Sequence, residues 1–200
     1  MELESILNRI VAEPTLHARW LNTFSYLEYV GFRKIIKSQS SDFVDSETLT
    51  HALEEGRHAL LLKKMAIQFG GAKFDHYKPE LMLCPEQASD YFQGLDRACE
   101  KVLPNTRSVY LCVTWLIEVR ALTVYKQYQR STEALGIKGR ITGLLAEEDR
   151  HLISVEKELR EKLPDFALRL KELKTLEETL YRRFITAVLE ELGNEIVLHA

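Results

Sequence analysis

The sequence predicts an all-α fold, and three observations carry that expectation. Long stretches repeat apolar residues with the 3.6-residue period of a helix face. The five prolines and the pair Gly70-Gly71 fall between those stretches. No segment alternates apolar and polar residues convincingly enough to read as a strand.

Taken in order, the first predicted helix starts after Pro14 and runs to about residue 38, with Trp20, Phe24, Leu27, Gly31 and Ile35 on one face. The polar run SQSSDFVDS (38–46) reads as a loop, in which Asp45 or Ser46 accepts a backbone N–H to cap the next helix. That helix covers about 47–69 and stops at Gly70-Gly71; residues 72–84 read as irregular. Pro85 opens a shorter helix ending near Leu103-Pro104, proline being tolerated in a first turn where no donor is needed. A further helix begins at Asn105-Thr106 and runs to about 130, and another covers 137–160 after the turn at Leu135-Gly136. Pro164 interrupts the pattern, and a last helix spans 165–192 with Phe166, Leu170, Leu173, Leu176, Leu180, Phe184, Val188 and Leu192 as its apolar stripe. The expectation is a single domain over residues 1–200: a four-helix bundle across 15–160, with a long crossover between its second and third helices, and an additional C-terminal helix at 165–192. That last stripe serves either to cover the bundle or as a homodimer seam.

Composition excludes several classes. Apolar residues at 46%, charged residues at 28% and a net charge of −3 describe an ordinary soluble chain with no general electrostatic attraction to nucleic acid or membrane. Cys84, Cys99 and Cys112 are widely spaced and form no C-x-x-C pair, which disfavours both a disulfide framework and a thiolate metal site. The start, MELESILNRIVAEP, is acidic and amphipathic, unlike a signal peptide, and the most apolar run, VYLCVTWLIEV (109–119), contains a glutamate and reads as too short to span a bilayer. A cytoplasmic location is the resulting expectation.

The chemistry lies in a repeated phrase. LLAEEDRHLISV (144–155) and LEEGRHALLL (53–62) each place a glutamate three residues ahead of a histidine inside an apolar run. About 0.7 such pairs are expected by chance in this composition, so the surroundings must carry the argument. Glu28, in FSYLEYVGF, precedes Glu55 by 27 residues; Glu118, in WLIEVRAL, precedes Glu148 by 30. Both halves therefore read as a glutamate on an outgoing apolar helix, a turn, then Glu-x-x-His on the returning helix. Residues three apart share a helix face, so one carboxylate and one imidazole can grip the same ion. Equal numbers of residues out and back bring the outgoing glutamate to the same height. Glu28, Glu55, His58, Glu118, Glu148 and His151 then converge. Four carboxylates balance two divalent ions, and a carboxylate–imidazole set suits iron(II) or manganese(II).

This pattern resembles the ferritin-like di-iron carboxylate superfamily, in which two helices each give a glutamate and two others each give Glu-x-x-His. The resemblance covers roughly residues 15–160 and all six ligand positions. It implies two iron ions, or manganese or a mixed manganese–iron pair, with Glu55 and Glu148 as the bridging carboxylates. It also implies a non-haem oxidoreductase activating dioxygen to oxidise or hydroxylate a small-molecule substrate, supplied with electrons by a partner protein. Iron handling or peroxide reduction of the ferritin and rubrerythrin kind, and hydroxylation of a modified tRNA base, are the alternatives; a metal-free helical interaction module is the bland one.

Around the six ligands the sequence gives further expectations. Glu54 and Glu147 fall about 100° off the ligand face and read as exposed. His51 reads as a surface histidine, with an outer-shell role as the alternative; His17, His76 and His199 read as ordinary. Gly31 and Ala121 each follow an outgoing glutamate by three residues and would leave room for dioxygen and substrate, or simply let helices approach closely. Tyr125, one heptad beyond Glu118, lines the same pocket or packs in the bundle. The segment 120–140 is locally basic, with Arg120, Lys126, Arg130, Lys138 and Arg140, and reads as a solvated helix end more than as a nucleic-acid surface.

Overall fold

Seven α-helices form where apolar periodicity and capping chemistry agree, and among the described residues there is no strand. The computed structural model describes residues 3–37, 39, 42, 44–163 and 165–198, with side chains as far as 193. Pro164, His199 and Ser38, Ser40, Ser41 and Phe43 of the expected loop lie outside the described residues. Backbone contacts divide the chain into two compact units, Met1–Pro85 and Glu86–Ala200.

The first unit contains α1 (Leu3–Ala12), α2 (Pro14–Lys37) and α3 (Ser46–Gly70). The N-terminal segment, which the sequence marked only as amphipathic, forms α1 and fully buries Ile6, Leu7 and Ile10. Glu13 ends it and starts α2, its carboxylate accepting the free N–H groups of Thr15 and Leu16 beside Pro14. Asp45 caps α3 by accepting from Thr48 N at 2.8 Å. The α2–α3 hairpin is the main packing of this unit. At its open end, where the end of α3 meets the start of α2, Gly70 is required: a Cβ there would lie 2.1 Å from the Phe74 ring and 2.6 Å from Ala18 Cβ. Gly71, at φ 86°, then takes the left-handed turn that ends the helix.

Residues 71–84 contain two short 3-10 turns, Ala72–Asp75 and Pro79–Leu81, and are pinned to the hairpin by buried polar bonds. Asn22 donates to the His76 and Leu81 carbonyls and accepts from Lys63 Nζ at 2.6 Å. Lys63 also reaches the Phe74 carbonyl and lies 3.3 Å over the Tyr77 ring. Burial pulls its amine down to about 8, against the opposing charge of Asp75. Thr23 and Arg19 hold the Leu83 and Met82 backbone. The irregular connection is therefore anchored, and its backbone groups are satisfied without regular pairing.

Across the second unit run α4 (Pro85–Val102), α5 (Thr106–Ser131), α6 (Lys138–Lys162) and α7 (Phe166–Leu198). Asn105 caps α5 by accepting from Ser108 N, and Gly136, at φ 67°, turns the chain into α6. The α5–α6 hairpin is the second expected one. By length and composition α5 could cross a membrane, so the expectation that its apolar run is too short is corrected: the helix is continuous for 26 residues. Just over half of that window is buried inside the protein and it carries buried Glu118, as a core helix would.

On α7 the buried stripe differs from the predicted one. Leu176 is 37% exposed, and Glu177 is buried in its place. The reason is a prepared partner set. Glu177 accepts both arms of the Arg120 fork at 2.8 and 2.7 Å and the Tyr91 hydroxyl at 2.7 Å, so its charge is matched inside the unit. Arg120 also pairs with Glu178 and stacks 4.0 Å over Tyr181. Arg120 is thus committed to α7 and does not belong to the basic surface expected over 120–140. Lys138 in that segment pairs with Glu133 at 3.3 Å.

Candidate metal centre

In the first unit the candidate ligand residues come together as the spacing requires. Glu28 projects from the middle of α2, and Glu55 and His58 lie one turn apart on one face of α3. Glu28, Glu55 and His58 each offer a donor atom within 4.8 Å of the others. His58 is 2% exposed and its Nδ1 is 3.9 Å from Glu28 Oε2. That separation exceeds a hydrogen bond. Bonds of about 2.0–2.2 Å to oxygen or imidazole nitrogen place two donors on one ion between about 3 and 4.4 Å apart, so the spacing is that of co-ligands.

Glu55 is the most constrained of the three. Gly31 of α2 makes its position available: a Cβ at Gly31 would sit 2.9 Å from Glu55 Oε2. The space beside this small residue is therefore filled by a carboxylate. Burial pushes the Glu55 carboxyl up, but a hydrogen bond and charge from His51, the charge of His58 and a smaller contribution from Glu28 outweigh it and hold the group at about 2. It is a carboxylate at neutral pH. The adjacent Glu54 is 5% exposed, contrary to the exposed position expected for it. The buried arc of α3 is wider than a single ligand stripe, because Glu54 and Met65 are buried beside the face that carries His51, Glu55 and His58; Arg57 partners Glu54 at 3.4 Å. His51 is corrected as well: it is 9% exposed, not a surface histidine, and its Nε2 is 3.4 Å from Glu55 Oε1.

The second unit repeats the trio. Glu118 of α5 and Glu148 and His151 of α6 are 3%, 2% and 7% exposed. His151 Nδ1 lies 3.6 Å from Glu118 Oε1 and 3.9 Å from Glu148 Oε2. The same ring nitrogen thus faces the outgoing helix's carboxylate in both units. Of the flanking residues, Tyr125 is buried on α5, Ala121 is half-buried, and Glu147 is half-buried where full exposure was expected. His17 is buried against Phe69, with ring centroids 4.2 Å apart, and His76 is exposed.

Carboxylates this deeply buried are costly unless neutralised by partners or a cation. Two carboxylates and one imidazole in each unit, with no cysteine among them, are donors suited to hard or borderline divalent ions. The residues present fit a metal. Comparison with family models, curated proteins and solved structures finds no match for this chain.

Sequence reasoning missed His51, Glu54 and Glu177 as buried polar residues. His51 had a signal, since it precedes Glu55 by four residues and shares its face. Glu177 had a weaker one: a buried partner for Arg120 had to lie on another helix, and nothing in α5 names which.

Proposed function

We propose that the two trios form one dinuclear centre and that the protein is a ferritin-like non-haem di-iron, or manganese-containing, oxidoreductase. The observation that carries this reading is the recurrence of one geometry: the Glu and Glu-x-x-His trio is built twice, with imidazole Nδ1 at 3.9 and 3.6 Å from the outgoing carboxylate. A repeat at the level of chemistry is hard to explain by packing, which would be served equally well by leucines.

In this reading Glu28, Glu55 and His58 would hold one ion, and Glu118, Glu148 and His151 the other. The four carboxylates cancel the charge of two divalent ions, so the buried site is neutral. A reduced pair of this kind supplies electrons to dioxygen for oxidation or hydroxylation of an organic substrate. The chain's own contribution is to fix the donors. Burial would hold the imidazoles in place as donors. Gly31 leaves room for the Glu55 carboxylate, and Tyr125 and Ala121 on α5 would line the substrate side. A small-molecule substrate, dioxygen and an electron-donor protein are the implied partners, in a cytoplasmic setting.

The test is oxygen uptake by protein loaded anaerobically with iron(II). Uptake that continues only while a reductant is supplied, with at most about two irons oxidised per chain in each cycle, is expected of this centre. Oxidation and retention of many irons per chain would replace the reading with iron handling. Loaded protein indifferent to dioxygen would remove the oxidoreductase reading.

A further inference from the structure

His51 gives the centre an asymmetry that the repeated motif lacks. It precedes Glu55 by four residues and His58 by seven, so α3 presents His51, Glu55 and His58 along one buried face with the carboxylate in the middle. Their backbone positions are about 10.5 Å apart along the helix axis, which places the two histidines on either side of Glu55, suited to serving two ions. The two oxygens of Glu55 divide accordingly. Oε2 lies beneath Gly31, on the helix that carries Glu28 one turn earlier, whereas Oε1 lies 3.4 Å from His51 Nε2. That distance allows a long hydrogen bond and also falls within the range for two donors on one ion. In the second half of the chain the position four before Glu148 is Leu144, which is 2% exposed and offers no donor.

We propose that His51 is a seventh metal donor, serving an ion on the Oε1 side of Glu55 while His58 serves one on the opposite side. Three imidazoles, from His51, His58 and His151, would then divide unequally between two ions, two on one and one on the other. This inference rests on the dinuclear reading above. Its consequence is that the two positions differ in affinity and in the number of nitrogen donors, with the nitrogen-rich position filling first.

The experiment is titration of the metal-free protein with cobalt(II), read by the visible absorption of the bound ion and by calorimetry. The proteins compared are the unaltered chain, His51→Leu and His51→Gln, with the metal-free melting temperature of each as a check on folding. The unaltered protein should take up two ions in two steps, separated by about tenfold or more in affinity. His51→Leu, which makes the first half like the second, should weaken the tighter step by about 10–100-fold and bring the two steps together. His51→Gln should do the same, because its amide can hydrogen-bond Glu55 but binds a divalent ion poorly. Binding by His51→Gln equal to that of the unaltered chain would show that His51 only positions Glu55 and would overturn the proposal. Two indistinguishable steps in the unaltered chain would overturn it too, while leaving the dinuclear centre standing. No cobalt uptake by the unaltered chain would overturn the centre itself.

Discussion

Replacing Arg120 by methionine tests the buried network of the second unit and has a calculable cost. Arg120 gives two bonds, at 2.8 and 2.7 Å, to a glutamate that is 6% exposed. Methionine fills much of the same volume but leaves the Glu177 carboxylate with only the Tyr91 hydroxyl as a partner. Removing one member of a buried pair costs about 3–5 kcal/mol. The Arg120 side chain keeps 20% exposure, so some water reaches the pair and the lower figure, about 3 kcal/mol, is expected. The bond to Glu178, whose side chain is 45% exposed, adds little. A second change, Glu177→Leu, removes the stranded charge and leaves only the Tyr91 hydroxyl in need of an acceptor, at about 1–2 kcal/mol. The double variant should therefore be more stable than Arg120→Met alone, by about 1–2 kcal/mol. Urea unfolding followed by helical circular dichroism measures all four proteins. Additive losses, or an Arg120→Met variant within about 1 kcal/mol of the original, would refute the claim that this pair is buried and coupled.

Other consequences follow from single contacts. Gly70→Ala should destabilise the protein by about 1–3 kcal/mol, because its Cβ meets ring and methyl atoms and not a flexible side-chain end; unchanged urea midpoints would contradict the close approach of α2 and α3. His17 is held down to about 4 by burial, against 6.5 unfolded. Between those values the unfolded chain binds more protons, so stability falls as pH drops from about 6.5 to 4, by about 2–3 kcal/mol at pH 4.5 from this group. His17→Phe, which keeps a ring against Phe69, should remove that part of the loss when urea unfolding is compared at pH 7 and 4.5; an unaltered pH dependence would show that His17 titrates normally. Ala121→Leu should abolish oxygen-dependent turnover while leaving metal content intact, and unchanged turnover would end its assignment to the substrate side.

The sequence made the helices legible because caps and breakers agreed with periodicity: Asp45, Asn105, Pro85 and Gly136 each stand at the boundary they predict. The two ligand trios were legible for a related reason, since Glu-x-x-His fixes a face and equal lengths of helix out and back fix a height. What escaped was decided by tertiary partners. α1 is short, and its buried apolar residues Ile6, Leu7 and Ile10 span less than about one and a half turns of pattern. Glu177 lies outside the predicted apolar stripe, and it is buried because Arg120 and Tyr91 meet it from α5 and α4. Glu54 lies beside the ligand stripe, and no helical wheel reveals that α3 is buried over so wide an arc. Residues 72–84 read as irregular, and their order comes largely from side chains of α2 and α3.

The most direct test of the dinuclear centre is the metal content of protein purified from iron- and manganese-supplemented cells, beside Glu55→Ala and Glu148→Ala variants. About two ions per chain, halved or lost in either variant, is the predicted result, with a melting temperature that falls on chelation because the ions bind only the folded state. Protein that is repeatedly recovered fully folded and metal-free, and that resists reconstitution, would contradict the account and leave a helical protein whose buried glutamates and histidines serve packing alone.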